Sequence, residues 1–451
     1  MNNDIKKVLL FDWKQINTIY RKTIKLTPEA TWVFLGQAGT AVAGLLGIKL
    51  LTHFLEPSEF GKLALANTII ALIGTNFFGP FGQGLSRFWA ISRERGSLDV
   101  FYAVSNRLIK YISLAAILTT IISALILTTL KDINWTVLII LSSVIGIISG
   151  IYSLRVGIFT AARYRKRTAF LEIINTLLKP LIATVLIILT ISNVNITLLG
   201  YLLAALLTVF IVEYLYIKTV YNTSSYRSES YPNNSLSQGL GKEILSFSWP
   251  FLVWGIFGWI HMSCDRWALQ TFYGSEVLGA FAVVSQLAIY PLAFGSGFLS
   301  TLFMPIVFQK AGDLSQANLK AANRILFVMM SLYIVGAIVL VGLFSISHQF
   351  LVLLISNNRF VKYSYLLPLL TLSWAFFYLG QVLVSFGLLA NRSANYILPK
   401  VVVSIIALFT TFYFSANIGP IGVAIGLLVS GIIYSLWCGL IALRIIRFKY
   451  C

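Results

Sequence analysis

Residues 134–191 read NWTVLIILSSVIGIISGIYSLRVGIFTAARYRKRTAFLEIINTLLKPLIATVLIILTI. Two apolar stretches flank a short turn, Arg163-Tyr164-Arg165-Lys166-Arg167, that carries four positive charges. A helix rises about 1.5 Å per residue, so roughly 20 apolar residues cross about 30 Å of hydrocarbon. Both stretches meet that length, and the basic turn cannot enter the bilayer cheaply. The segment is therefore a helical hairpin that crosses a membrane twice.

The same pattern fills the rest of the chain. Of 451 residues, 58% are hydrophobic and 11% charged, which excludes a water-soluble core of this length. Apolar runs are predicted to cross at 30–55, 61–88, 108–130, 134–161, 169–191, 196–218, 244–271, 277–308, 323–346, 364–389, 395–416 and 419–443. The expected fold class is an all-α polytopic membrane protein with twelve transmembrane helices, grouped as two six-helix bundles around a central cavity.

Charge decides the orientation. The N-terminal tail carries Lys6, Lys7, Lys14, Arg21, Lys22 and Lys25, and basic residues recur in the even-numbered gaps: Arg93, Arg95, Arg107 and Lys110, then Arg163 to Arg167, then Lys218, Arg227 and Lys242, then Lys310, Lys320 and Arg324, then Arg392. Arg444, Arg447 and Lys449 close the chain, whereas the odd-numbered gaps hold only Lys62, Lys131, Arg359 and Lys362. The positive-inside rule then places both termini in the cytoplasm. The net charge of +19 is spread over short loops at one membrane face, so it does not mark a nucleic-acid surface.

The expected organisation is a cytoplasmic tail (1–29), an N-terminal six-helix bundle (30–218), a cytoplasmic linker (219–243), a C-terminal six-helix bundle (244–443) and a short tail (444–451). Residues 1–29 are polar and basic with no early apolar run, which argues against a cleaved signal peptide. Ile5, Val8, Leu9, Ile16, Ile19 and Tyr20 recur there at helical spacing among lysines, as expected either of a helix in the headgroup layer or of a free tail. Cys264, Cys438 and Cys451 have no paired spacing, so neither a disulfide framework nor a metal site is expected, and no cofactor is implied.

The two halves carry similar hairpins. Phe54-Leu55-Glu56-Pro57-Ser58-Glu59-Phe60-Gly61 has a counterpart in Phe272-Tyr273-Gly274-Ser275-Glu276-Val277-Leu278-Gly279. Setting Ser58 on Ser275 also sets Lys49 on Arg266, although the glycines then fall one residue out of step. Two halves related by an axis along the membrane normal are an arrangement suited to alternating access.

The first hairpin resembles the Leu-x-Pro-x-Glu-Phe-Gly turn of O-antigen and polysaccharide flippases in the multidrug/oligosaccharidyl-lipid/polysaccharide exporter superfamily. Gly82-x-Gly84-Leu85-x-Arg87, Asp265-Arg266 before the second hairpin, Tyr363-Ser364-Tyr365-Leu366-Leu367-Pro368 and Ile418-Gly419-Pro420-Ile421-Gly422-Val423-Ala424-Ile425-Gly426 are similar too. The resemblance spans about 31–444. At His53 the chain departs from it, since many relatives carry Arg there. It implies a carrier that moves an isoprenoid-diphosphate-linked oligosaccharide from the cytoplasmic to the outer leaflet of a bacterial inner membrane, for O-antigen or capsule. The partners it implies are the lipid-linked oligosaccharide, membrane lipids and a polysaccharide polymerase or glycosyltransferase.

The ionisable residues inside the bilayer carry the site reading. Each costs about 2.5–3.5 kcal/mol at a helix centre on insertion scales, so such residues face a cavity or a partner. Lys49, Arg87, Arg155, Lys179, Arg266 and Lys400 outnumber Glu172, Glu213 and Asp265. That balance suits a diphosphate, which pairs with guanidinium and ammonium groups. Lys179 lies roughly 18 Å beyond Arg167 along its helix, too deep to snorkel. It ends a polar stripe of Glu172, Asn175, Thr176 and Lys179 at i, i+3, i+4, i+7, and Pro180 beside it permits a bend. The alternative for this stripe is an internal Glu172–Lys179 pair with no ligand. Arg87 shares a face with Asn76 and Gln83 on a helix rich in Gly and Pro, and the alternative for it is a simply interfacial position. Arg155 and Lys400 are expected about 12 Å deep, within snorkelling reach of the cytoplasmic face. Lys49 and Arg266 are expected in the outer third of their helices, either where substrate is released or snorkelling to the outer face. Trp254, Gly258, His261 and Asp265 align on one face of the seventh crossing, where His261 and Asp265 are candidates for a coupling proton. For Asp265 the competing reading is a pair with Arg266.

Other functions fit less well. A membrane enzyme acting on lipid-linked glycans calls for acids or histidines gathered on an outer loop, whereas Glu56, Glu59, Asp132, Glu276 and His348 are scattered. A drug or cation exporter of the same superfamily calls for buried acids and aromatic faces, against a mostly cationic interior. A lipid-linked peptidoglycan precursor flippase would need two further helices.

Overall fold

The structure, a computed structural model, describes residues 28–129, 133–223, 234–312 and 316–448. The tail reading of residues 5–20 and the middle of the 219–243 linker lie outside the described residues. Helices α1 (Pro28–Phe54), α2 (Pro57–Glu94), α3 (Leu98–Thr129), α4 (Ile133–Ala161), α5 (Arg165–Leu189) and α6 (Val194–Thr223) form the first half. A continuous helical stretch follows, Asn234–Ala311, broken at Gly274, whose φ of 75° no other residue type adopts without strain. It supplies α7 (234–273) and α8 (275–311). Then come α9 (Gln316–Ile355), a 3₁₀ segment Asn358–Leu366, α10 (Leu367–Leu389), a 3₁₀ turn Ser393–Tyr396, α11 (Ile397–Ile418) and α12 (Pro420–Phe448). Eleven described stretches are long and apolar enough to cross a membrane, and division of the longest at Gly274 gives twelve helices.

Apolar side chains stay on the outside, as a bilayer solvent requires. Along α3, Tyr111, Leu114, Leu118, Ile122 and Leu125 are all more than half exposed and recur at helical spacing, forming a lipid-facing stripe. Helices also run past the apolar runs. α3 begins at Leu98, ten residues ahead of its run, and α9 extends from Gln316 to Ile355.

Helix α2 contains the irregularity that its Gly and Pro content predicts. Residues Gly74–Phe78 form a π turn, with the Gly79 N–H bonded to the Gly74 carbonyl, just ahead of Pro80, which has no N–H to give. By contrast, α5 runs through Pro180 without interruption. The Pro180 ring packs against Gly47 of α1, where an added Cβ would come within 2.9 Å of it.

The two hairpin tips pack reciprocally against each other. A Cβ on Gly61 would collide with the Ser275 carbonyl, and a Cβ on Gly279 would collide with the Pro57 carbonyl. Each glycine thus meets the residue four positions before the other, so Gly61 corresponds to Gly279 and Pro57 to Ser275. This corrects the register that set Ser58 on Ser275: the glycines, which permit the close approach of two backbones, are the equivalent positions.

Candidate functional site

Helix α4 presents Ser149, Tyr152, Ser153, Val156, Gly157 and Thr160 on one face. Opposite them are Thr40 of α1, Ser86 of α2, and Glu172, Asn175 and Thr176 of α5. Together these residues line a polar cavity of about 390 Å³. The α5 stripe therefore faces this cavity rather than lipid, and the cavity lies among helices of the first half. Glu172 is exposed within it, and Asn175 Oδ1 accepts a hydrogen bond from Thr208 of α6 at 3.3 Å.

Lys179 sits at the cavity's edge. Its ammonium donates to the Ser149 hydroxyl at 3.4 Å and forms no ion pair among the described residues. The alternative pairing with Glu172 is not made. A lysine charge held by one long hydroxyl contact is available to an anion, because hydroxyls do not neutralise it.

The other cations lie elsewhere. Arg155 is buried, and its Nε donates to Glu213 of α6 at 2.7 Å while its guanidinium lies 3.8 Å from the centre of the Tyr216 ring. It ties α4 to α6 and does not snorkel to the membrane face. Arg87 is exposed, with its guanidinium 4.4 Å from the Phe247 ring of α7. Nearby, Gly84 meets Ser248 and Ile244 so closely that a Cβ would not fit. Lys49 donates to the Ser356 carbonyl at 3.1 Å and the Leu353 carbonyl at 3.4 Å, so it caps the end of α9. Asn357 donates to the Thr52 carbonyl beside it.

In the second half, Lys400 is 4% exposed and packed among rings, which overturns the expectation that it snorkels. Asp265 is buried, and its Oδ1 accepts from the Arg266 backbone N–H at 2.8 Å. The Arg266 side chain does not pair with it among the described residues, and Arg266 Nε is buried without a partner. His261 stacks on Phe377 with ring centroids 4.4 Å apart. The six predicted cations thus do not converge on one shell, and only Lys179 adjoins the polar cavity.

The α4 wall of that cavity was not anticipated. Ser149, Ser153, Gly157 and Thr160 recur at i, i+4, i+8, i+11, a small polar stripe as regular as the one on α5, and that spacing was the available signal.

The same helical fold is seen in several solved membrane proteins. Among solved structures the chain is similar to an inward-facing multidrug resistance MATE family transporter of the MOP superfamily, with 14% identity, a TM-score of 0.65 and coverage of 90% of this chain and 96% of that one. It is also similar to the lipid II flippase MurJ in an inward closed conformation, with 16% identity, a TM-score of 0.67 and coverage of 92% and 87%. The eukaryotic MATE transporter AtDTX14 matches at 14% identity and a TM-score of 0.63 over 96% and 98%. No match was found among curated protein sequences. The family described as polysaccharide biosynthesis protein matches residues 26–311, and the chain belongs to that family.

Proposed function

We propose that this protein carries an isoprenoid-diphosphate-linked oligosaccharide from the cytoplasmic to the outer leaflet by alternating access, supplying assembly of a cell-surface polysaccharide such as O-antigen or capsule. The observation that carries the reading is Lys179: a membrane-embedded ammonium with a hydroxyl for its partner, at the edge of a polar cavity, in a chain of a polysaccharide biosynthesis family. A diphosphate supplies the missing negative charge, and the serine, threonine, tyrosine and asparagine groups of the cavity suit sugar hydroxyls. Glu172, the acid of the same cavity, is the group through which an ion would sense occupancy. Arg87 and Arg266 are second contacts for the diphosphate as the halves move. Arg155 is left out of that set because Glu213 already answers its charge. On this reading the termini and the linker face the cytoplasm of a bacterial cell, and the protein catalyses no covalent step.

The test is a deletion strain. Lipid-linked oligosaccharide should accumulate on the cytoplasmic leaflet and surface polymer should cease, while synthesis of the lipid-linked unit continues. If the purified protein hydrolyses, polymerises or transfers the glycan, it is an enzyme and the carrier reading fails.

A further inference from the structure

The second half contains a buried basic cluster that substrate binding does not use. Lys400, in the first turn of α11, has its ammonium 4.1 Å from the centre of the Phe377 ring and 5.4 Å from that of Tyr434. Among the described residues its ammonium forms no ion pair and no hydrogen bond. His261 of α7, 1% exposed, stacks on the same Phe377 ring with planes 18° apart, and its Nδ1 is buried without a partner. Tyr434 lies nearly parallel to Phe377 as well, at 26° and 5.4 Å. Two basic side chains from separate helices therefore share one phenyl ring, with no carboxylate bonded to either.

The surroundings are defined on every side. Helix α7 contributes His261 and, further along, Cys264, Asp265 and Arg266. Asp265 Oδ1 is engaged by the Arg266 backbone N–H. Helix α12 contributes Tyr434 and Cys438, the 393–396 turn contributes Tyr396, and α10 contributes Trp374, Phe377 and Tyr378 with no charge. Arg155 is the contrasting case in the same chain. Where a carboxylate is bonded to the buried cation, the residue is arginine, which keeps its charge throughout. Where ring faces lie over it and no carboxylate is bonded, the residue is lysine, which can release its proton.

We propose that Lys400 and His261 jointly hold one exchangeable proton in the core of the second half, bound in one of the protein's two facing states and released in the other. The inference rests on the carrier reading and supplies its driving ion. The bookkeeping is simple. An ammonium beside a neutral imidazole, or a neutral amine beside an imidazolium, carries one positive charge. Release of the proton to water leaves both groups neutral, and two charges on one ring's neighbours are opposed by mutual repulsion.

The first test is substrate-free: nitrogen NMR of the full chain in nanodiscs with labelled lysine. One Nζ resonance should vanish in Lys400→Met, and its titration should move by about half a pH unit, a roughly threefold change in proton affinity, in His261→Gln. Identical titration of every lysine in wild type and His261→Gln overturns the shared proton. The second test uses proteoliposomes, an imposed gradient of about one pH unit and a short-chain isoprenyl diphosphate as probe. With one proton per cycle the wild type should accumulate the probe about tenfold. Lys400→Arg and Lys400→Met, at matched abundance, should equilibrate the probe without accumulating it. Accumulation in both variants, or a wild type that equilibrates the probe and ignores the gradient, overturns the driving role and leaves the carrier. A wild type that does not move the probe while the Lys400 resonance still responds to His261→Gln counts against the carrier reading and leaves the proton pair standing.

Discussion

Glu213→Gln separates a structural role for Arg155 from a substrate role. Arg155 Nε and Glu213 Oε1 are 2.7 Å apart, with side chains 8% and 31% exposed. Breaking a fully buried pair by removing one partner costs about 3–5 kcal/mol. The partial exposure of Glu213 lets the surroundings screen the orphaned charge, and the Tyr216 face, 3.8 Å away, retains an interaction of about 0.5–2 kcal/mol. The expected loss is therefore about 1–3 kcal/mol, seen as lower thermal stability of the detergent-purified protein and lower membrane abundance. Arg155→Met should cost less than Glu213→Gln, because it leaves no buried cation unpaired. The combination of Arg155→Met with Glu213→Leu should recover most of the loss and support surface polymer, since apolar side chains replace both charges. The opposite pattern refutes the reasoning: a Glu213→Gln protein of normal stability, together with an Arg155→Met protein that is stable and abundant yet exports no polymer, would make Arg155 a substrate contact.

Lys179→Ala should abolish or strongly reduce complementation at normal membrane abundance, while Lys179→Arg keeps partial function because the charge survives in altered geometry; full activity of Lys179→Ala removes it from the site. Gly61→Ala and Gly279→Ala should each destabilise the protein by about 1–3 kcal/mol, the usual cost of overpacking, and by similar amounts because their contacts are reciprocal; thermal unfolding of the two variants side by side checks this. Reporter fusions after Leu55 and Gly274 should score as extracellular and fusions within 219–243 as cytoplasmic, as the charge asymmetry requires.

The helix count was legible because hydropathy and length alone determine it, and the Gly-rich second helix announced its own irregularity. The register of the repeat was harder to read. Matching side chains favoured Ser58 on Ser275, whereas the fold keeps the positions where two backbones touch, and a glycine has no side chain by which the sequence could mark such a contact. The site was read from depth, counted in residues from the nearest basic loop. For Lys179 the counted depth agrees with an embedded position, and its ammonium meets the Ser149 hydroxyl, a lining residue of the polar cavity. The count failed for Lys400, because counted depth says nothing about direction: Phe377 of α10 and Tyr434 of α12 close over that lysine, and no periodicity in α11 reveals them. Arg155 and Glu213 were both visible as intramembrane charges, but their partnership depends on how α4 and α6 face each other.

The two membrane lysines occupy comparable helices, α5 and α11, the fifth of each half, and each adjoins a proline, in Lys179-Pro180 and Pro399-Lys400. Their surroundings are opposite in character. Around Lys179 the neighbouring helices contribute hydroxyls, an amide and a carboxylate that leave an open polar cavity. Around Lys400 they contribute Trp374, Phe377, Tyr434 and the His261 ring, packed against one another. An open polar cavity offers hydrogen-bond partners to a hydroxyl-rich anion, whereas ring faces offer a cation only their π electrons. On the roles proposed above, Lys179 meets cargo and Lys400 the ion that moves it, and two sites so separated communicate through the movement of the halves rather than by contact.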